Sequence, residues 1–264
     1  ETVSALHRDR HDRVVALTTA AYSCYSACRQ YREDLAAVME QIPGVVIDKV
    51  GPYSERDGFI SANVDALVAS VQALRSRIGD GVMKVLFVTH SIPVAMNAAS
   101  ANGTPAARYD AQHIRVASRV AEAAEAYLGE RLDWELVYCS RSGSPHISWL
   151  EPDVNDRLAE LTGVAGVVAA PIGFISDHME VAYDLDTQAR ESAAAAGFDY
   201  ERAATAGIHP DFIATLADLL LEQAAVARGE LAPPDHPCLT EPASCCLPHP
   251  QKEQTHVPSA SHAH

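Results

Sequence analysis

Val85-Leu86-Phe87-Val88-Thr89-His90-Ser91-Ile92-Pro93 is the stretch that decides the fold. Four apolar residues form a short buried run, and a histidine, a serine and a proline follow at once. The run predicts a central strand, and Pro93 ends it because proline cannot donate to a β ladder. In an open α/β sheet, ligands bind in the crevice at the carboxyl ends of the strands. His90 is therefore expected at the lip of a cleft, where an imidazole can ligate a metal or move a proton near neutral pH. A histidine that merely satisfies the core is the competing reading.

Outward from this strand, apolar runs and amphipathic stretches alternate. Residues 14–17, 45–50, 134–139 and 164–172 read as strands, with a weaker one near 200–204. Residues 164–172 are almost continuously apolar, as a strand buried on both faces should be. Helical spacing marks residues 29–39, 59–78, 106–128, 154–161, 177–195 and 210–227. In 59–78 the apolar stripe is Ile60, Val64, Leu67, Val71 and Leu74, and Gly79-Asp80-Gly81 closes it. Strand–helix alternation predicts an α/β fold of parallel sheets flanked by helices, joined by right-handed crossovers. From residue 232 Pro, His, Ser and Cys take over and periodicity is lost, which reads as a tail.

At 264 residues the chain has ample core for one large or two small domains. Its formal charge of −15 argues against nucleic-acid binding, and an anionic substrate would need a local basic patch. No apolar run approaches the roughly 20 residues needed to span a bilayer. The chain opens Glu1-Thr2-Val3 without methionine or a leader pattern, which reads as a processed or truncated start. Neither GxGxxG nor a Walker loop is present, so nucleotide binding has no motif behind it. Six cysteines, three crowded near the end, suit metal binding in a cytoplasmic enzyme better than a secreted disulfide framework.

Three loops should converge on the cleft: residues 22–31, 90–93 and 174–186. In the third, Asp177, Glu180 and Asp184 are spaced to share one helix face. Three carboxylates near a helix N-terminus can be a solvated, dipole-favoured cap. Set opposite His90, they can instead form a nitrogen/oxygen site for a divalent first-row metal, or a proton-removing pair.

The segments VTHSIP (88–93), SRSGSPHISWLEPDV (140–154) and PIGFISDHMEVAYDLD (171–186) resemble the ferrochelatase family. YSCYSACRQYRED (22–34) and the Cys-bearing tail resemble its actinobacterial, coproporphyrin-using branch. The resemblance covers nearly the whole chain and implies two Rossmann-like domains around a porphyrin cleft. Residues 1–80 would be an incomplete first domain, 81–231 a second carrying the catalytic motifs, and 232–264 the tail. It implies insertion of Fe²⁺ into a porphyrin, with His90 and Glu180 as the catalytic pair and metal ligands, and Asp184 on the metal's access path. Tyr31, Ser91 and Pro93 would contact the porphyrin. Arg29, Arg32 and Arg141 would pair its carboxylates, unless they are ordinary surface arginines. Trp149 is expected to pack. An iron donor or other haem-pathway enzymes are the further partners implied.

Two departures stand out. The family's opening strand and glycine-rich loop have no counterpart here, and Gln188 replaces a carboxylate that many members carry. The rival readings are a protoporphyrin ferrochelatase, a chelatase for Co²⁺ or Ni²⁺, and a porphyrin or haem carrier.

Cys238, Cys245 and Cys246 lie within nine residues of one another. Thiolates so close repel or oxidise unless a soft metal holds them. A [2Fe–2S] cluster takes four thiolates, and the branch resemblance supplies the fourth from Cys28, or from Cys24 one turn earlier. Zinc is the competing occupant, and an unliganded tail is the third possibility. Cys139, the remaining thiol, reads as a small buried residue at a strand end.

Overall fold

The structure is a computed structural model that describes residues 1–144, 146–234 and 244–248. In chain order its elements begin with α1 (Thr2–Arg8), β1 (Arg13–Ala16), a π-helical turn (Tyr25–Arg29), α2 (Gln30–Gln41) and β2 (Val46–Lys49). Then come α3 (Asp57–Ile78), β3 (Met83–His90), α4 (Val94–Ala99), two 3₁₀ turns (Ser100–Gly103 and Pro105–Ala107) and α5 (Tyr109–Leu128). The rest is β4 (Trp134–Cys139), α6 (Val154–Glu160), β5 (Gly166–Ala170), α7 (Met179–Val181), a π-helix (Ala182–Ala189), α8 (Arg190–Ala196), β6 (Asp199–Arg202) and α9 (Pro210–Ala227).

Among the described residues every pairing between these strands is parallel. β1 pairs with β2, and the larger sheet runs β4-β3-β5-β6. The expected central strand is β3, paired on both sides. Its side chains alternate between two apolar layers, as period-2 geometry requires. Val85 and Phe87 join Leu67, Val71 and Leu74 of α3 and Val116, Val120 and Ala124 of α5. Leu86 and Val88 join Val154 and Leu158 of α6, Leu185 of the π-helix and Ala193 of α8. A strand buried on both faces by helices explains why Val85–Val88 carries no polar residue. α3 precedes residue 80 in sequence yet packs on the larger sheet and on α9.

Three local readings need correction. The polar opening carries a short helix, α1, whose seven residues bury nothing and so leave no apolar stripe. The expected helix over 106–128 starts at Tyr109, because Pro105–Ala107 turns as 3₁₀ first. The segment 177–195 is not one regular helix: it starts at Met179, and its middle is wound as π.

Candidate functional site

β3 ends on His90 and β4 on Cys139, directly alongside in register, while the loop after β5 leads to α7. This brings His90 Nε2 to 3.3 Å from Glu180 Oε1, with both side chains part-exposed. On the other side of the ring, Nδ1 donates to the carbonyl of Ser91. A carbonyl only accepts, so in neutral His90 the proton sits on Nδ1 and the Nε2 lone pair faces Glu180. Two electron-pair donors this close call for a cation between them, either a proton or a metal.

Beside the pair lies a cavity of about 410 Å³, whose walls include Tyr31, His90, Ser91, Pro93, Met96 and Trp149. Tyr31, Ser91 and Pro93 share the wall of this one cavity. Ser91 is held inward, its hydroxyl donating to the carbonyl of Leu150 at 2.8 Å. Trp149 is half-buried and lines the cavity, its backbone bridging to Pro93, and among the described residues its buried indole N–H has no partner.

Arg29 and Arg141 do not line this cavity. Arg29 pairs with Glu33 at 2.7 Å and donates to the carbonyl of Cys245 at 3.1 Å. Arg141 is exposed and lies 4.0 Å from Glu151. Arg32 is likewise absent from the lining. The expected row of three carboxylates is reduced to two. Asp177 precedes α7 and is paired with Arg202 at 2.9 Å, as is Asp186. Asp184 is buried and accepts a hydrogen bond from the Ser140 hydroxyl.

Sequence reading missed the groups that hold these loops. Gln112, buried on α5, takes both backbone groups of Ser23: its Oε1 accepts from the N–H at 2.9 Å and its Nε2 donates to the carbonyl at 3.0 Å. Tyr22 donates to the carbonyl of Ile172 at 2.9 Å. A glutamine on an amphipathic helix gives no signal of such a role; only the tertiary partner does.

The segment expected as the 22–31 loop is helical from Tyr25 onward, and its π turn carries one member of a second cluster. Cys28, Cys245 and Cys246 form a buried sulfur group, with Cys245 Sγ and Cys246 Sγ 3.5 Å apart. The backbone N–H of Ala101 points at Cys246 Sγ from 3.4 Å, and Lys49 Nζ lies 4.0 Å from Cys28 Sγ. Cys24 belongs instead to the main core and the cavity wall, and burial pushes its thiol up to about 11. Cys238 lies outside the described residues. Among the described residues no three His, Cys, Asp or Glu side chains are arranged to hold a metal ion. Cys139 is buried beneath Ser140, as expected.

Comparison with known proteins agrees with this architecture. The family model described as Ferrochelatase matches residues 1–224. The coproporphyrin III ferrochelatase of Streptomyces griseus subsp. griseus is 44% identical over 261 residues, which covers 90% of this chain and 68% of that protein. That of Streptomyces coelicolor is 43% identical, covering 89% and 65%, and that of Frankia alni 38% identical, covering 96% and 67%. The chain therefore spans about two thirds of the length of these relatives. Among solved structures, the sirohydrochlorin chelatase SirB from Bacillus subtilis subspecies spizizenii in complex with cobalt superposes with a TM-score of 0.51. It is 14% identical, covering 86% of this chain and 76% of that one, a likeness of fold. On the match over residues 1–224 and relatives of this identity, the chain belongs to the ferrochelatase family.

Proposed function

We propose that this chain inserts Fe²⁺ into coproporphyrin III, with the His90–Glu180 pair acting at the centre of the macrocycle. The observation that carries this reading is the 3.3 Å approach of Nε2 to Oε1 beside the cavity. Metallation exchanges two pyrrole protons for one Fe²⁺, so the site must accept protons where it also admits a cation. A lone pair facing a carboxylate does both. A proton leaving a pyrrole nitrogen is taken on Nε2 as an imidazolium held by Glu180, and Glu180 passes it outward to water. Nitrogen and carboxylate oxygen also suit Fe²⁺ arriving as substrate. Buried Asp184, one helical step on, is the carboxylate we place on its access path. Tyr31, Pro93 and Trp149 supply apolar surface against the ring. The choice of coproporphyrin over protoporphyrin rests on the names of the relatives.

We further assign the sulfur group to a [2Fe–2S] cluster held by Cys28, Cys245 and Cys246, with Cys238 as the fourth ligand. The chemistry of the donor set supports it: three buried sulfurs, with an amide N–H and an ammonium group beside them. Such a cluster supplies a redox-active iron pair; here its ligands would fasten the tail to the π-helical turn that carries Cys28. Among the described residues no helix is long and apolar enough to cross a membrane. The proposed setting is the cytoplasm, where thiols stay reduced.

The test is a coproporphyrin absorbance titration of the chain with and without Fe²⁺ under anaerobic conditions. Iron insertion converts the spectrum to that of the iron porphyrin. A spectrum perturbed equally with and without iron would make the chain a carrier.

A further inference from the structure

A buried polar chain stands directly behind His90, and the mechanism above makes no use of it. His113 of α5 is fully buried, with its ring stacked on Tyr22 at 3.5 Å between centroids and 15° between planes. Its Nδ1 lies 2.7 Å from the carbonyl of Tyr109, and its Nε2 lies 2.8 Å from Thr89 Oγ1. The Thr89 hydroxyl is 2.9 Å from the Tyr109 hydroxyl, which donates to the carbonyl of His90 at 3.1 Å.

The chemistry leaves one arrangement of protons. A carbonyl only accepts, so Nδ1 of His113 carries its proton. Burial pushes the imidazole down to about 3, so the ring is neutral near pH 7 and Nε2 is an acceptor. The Thr89 hydroxyl therefore donates to Nε2. Its oxygen is then free to accept from Tyr109, whose single proton is shared between Thr89 and the carbonyl of His90. Gly173 closes the remaining side: a Cβ there would lie 2.2 Å from Thr89 Oγ1. The hydroxyl has one place to be, and it sits one residue before His90.

From this geometry we infer that His113 is a positioning residue for His90, acting through Thr89 and Tyr109 to fix the end of β3 so that the imidazole faces Glu180. A histidine that served only to fill the core would have no reason to orient the Thr89 hydroxyl, and through it the Tyr109 hydroxyl that donates to the carbonyl of His90. The inference rests on the reading of His90 as the acting base, and its test is arranged so that the two can fail separately.

Thr89→Val removes the hydroxyl at nearly constant volume, and Thr89→Ser keeps it. The first readout needs no turnover: ring-¹⁵N spectra of the histidine-labelled full chain at about pH 8, with His90 assigned by substitution. Wild type and Thr89→Ser are expected to show His90 protonated on Nδ1 alone, and Thr89→Val to show a mixture of tautomers. An unchanged His90 signal in Thr89→Val overturns the proposal whether or not the chain metallates porphyrin. The second readout is anaerobic insertion of Fe²⁺ into coproporphyrin III. Thr89→Val should lower kcat about tenfold with KM for the porphyrin within about twofold, and Thr89→Ser should restore kcat. Equal kcat in the two variants also overturns it. If Thr89→Val does not fold, His113→Phe keeps the ring on Tyr22 and removes the acceptor, and the same expected and overturning results apply.

Discussion

Glu180 can act as a proton relay for His90 or as an acidic residue favoured at a helix N-terminus, and Glu180→Gln separates the two. As a relay, its loss should cut iron insertion by about 10²-fold or more, with porphyrin binding, followed by fluorescence quenching, close to wild type. Near-normal turnover with a lowered melting temperature would return Glu180 to capping. His113 makes a prediction about acid stability. An unfolded histidine titrates near 6.5, whereas buried His113 titrates at about 3. The folded value is depressed, so the unfolded chain takes up the proton first. Stability present above pH 6.5 is then lost as pH falls from about 6.5 toward about 3, by about 1.4 kcal/mol per pH unit at its steepest. In urea unfolding, His113→Gln should show that much less loss per unit across this window; parallel slopes would contradict it. His90 was legible because it interrupts an apolar run at a strand end. His113 was not, because a histidine on an alanine-rich helix gains its meaning only from Thr89 and Tyr109 across the core.

The elements around the site are held by close approaches and by departures from regular helix. Neither departure could be read from the sequence, since a π turn leaves apolar periodicity nearly intact over a few residues. That is why 177–195 reads as one helix, and why the sequence spacing sets Asp177 on one face with Glu180. In the fold Asp177 and Asp186 are both held by Arg202, on either side of the segment that carries Glu180 and Asp184. Two glycines make a matched pair for testing which packing contacts concern the site. A Cβ at Gly58 would lie 2.1 Å from the carbonyl oxygen of Asp211, where α3 meets α9. A Cβ at Gly173 would press instead on Thr89, behind His90. Each Gly→Ala change should cost about 1–3 kcal/mol by overpacking, measured by chemical denaturation. Only Gly173→Ala should also lower turnover in conditions where both variants are folded. Equal turnover in the two would mean that pressure on Thr89 does not reach His90.

At the scale of the whole molecule, alternation of strands and helices was enough to predict parallel sheets, because each apolar run needs helices to cover it. The order β4-β3-β5-β6 was not legible, since neighbouring strands leave no mark in a single sequence. The sulfur group joins residues more than two hundred positions apart, Cys28 with Cys245 and Cys246, and so ties the tail to the π-helical turn that leads into α2, whose Tyr31 lines the cavity. Anaerobic purification from cells that build such clusters should give a brown protein with about two irons per chain. Colourless protein holding zinc, or no metal, would remove the cluster from the account. The central claim is narrower: the pair at the end of β3 inserts the iron. It is tested most directly by measuring, side by side, porphyrin binding and anaerobic formation of iron coproporphyrin for wild type and His90→Ala. The account predicts that His90→Ala binds porphyrin within a few-fold of wild type and forms no iron porphyrin. Near-normal formation by His90→Ala would contradict it.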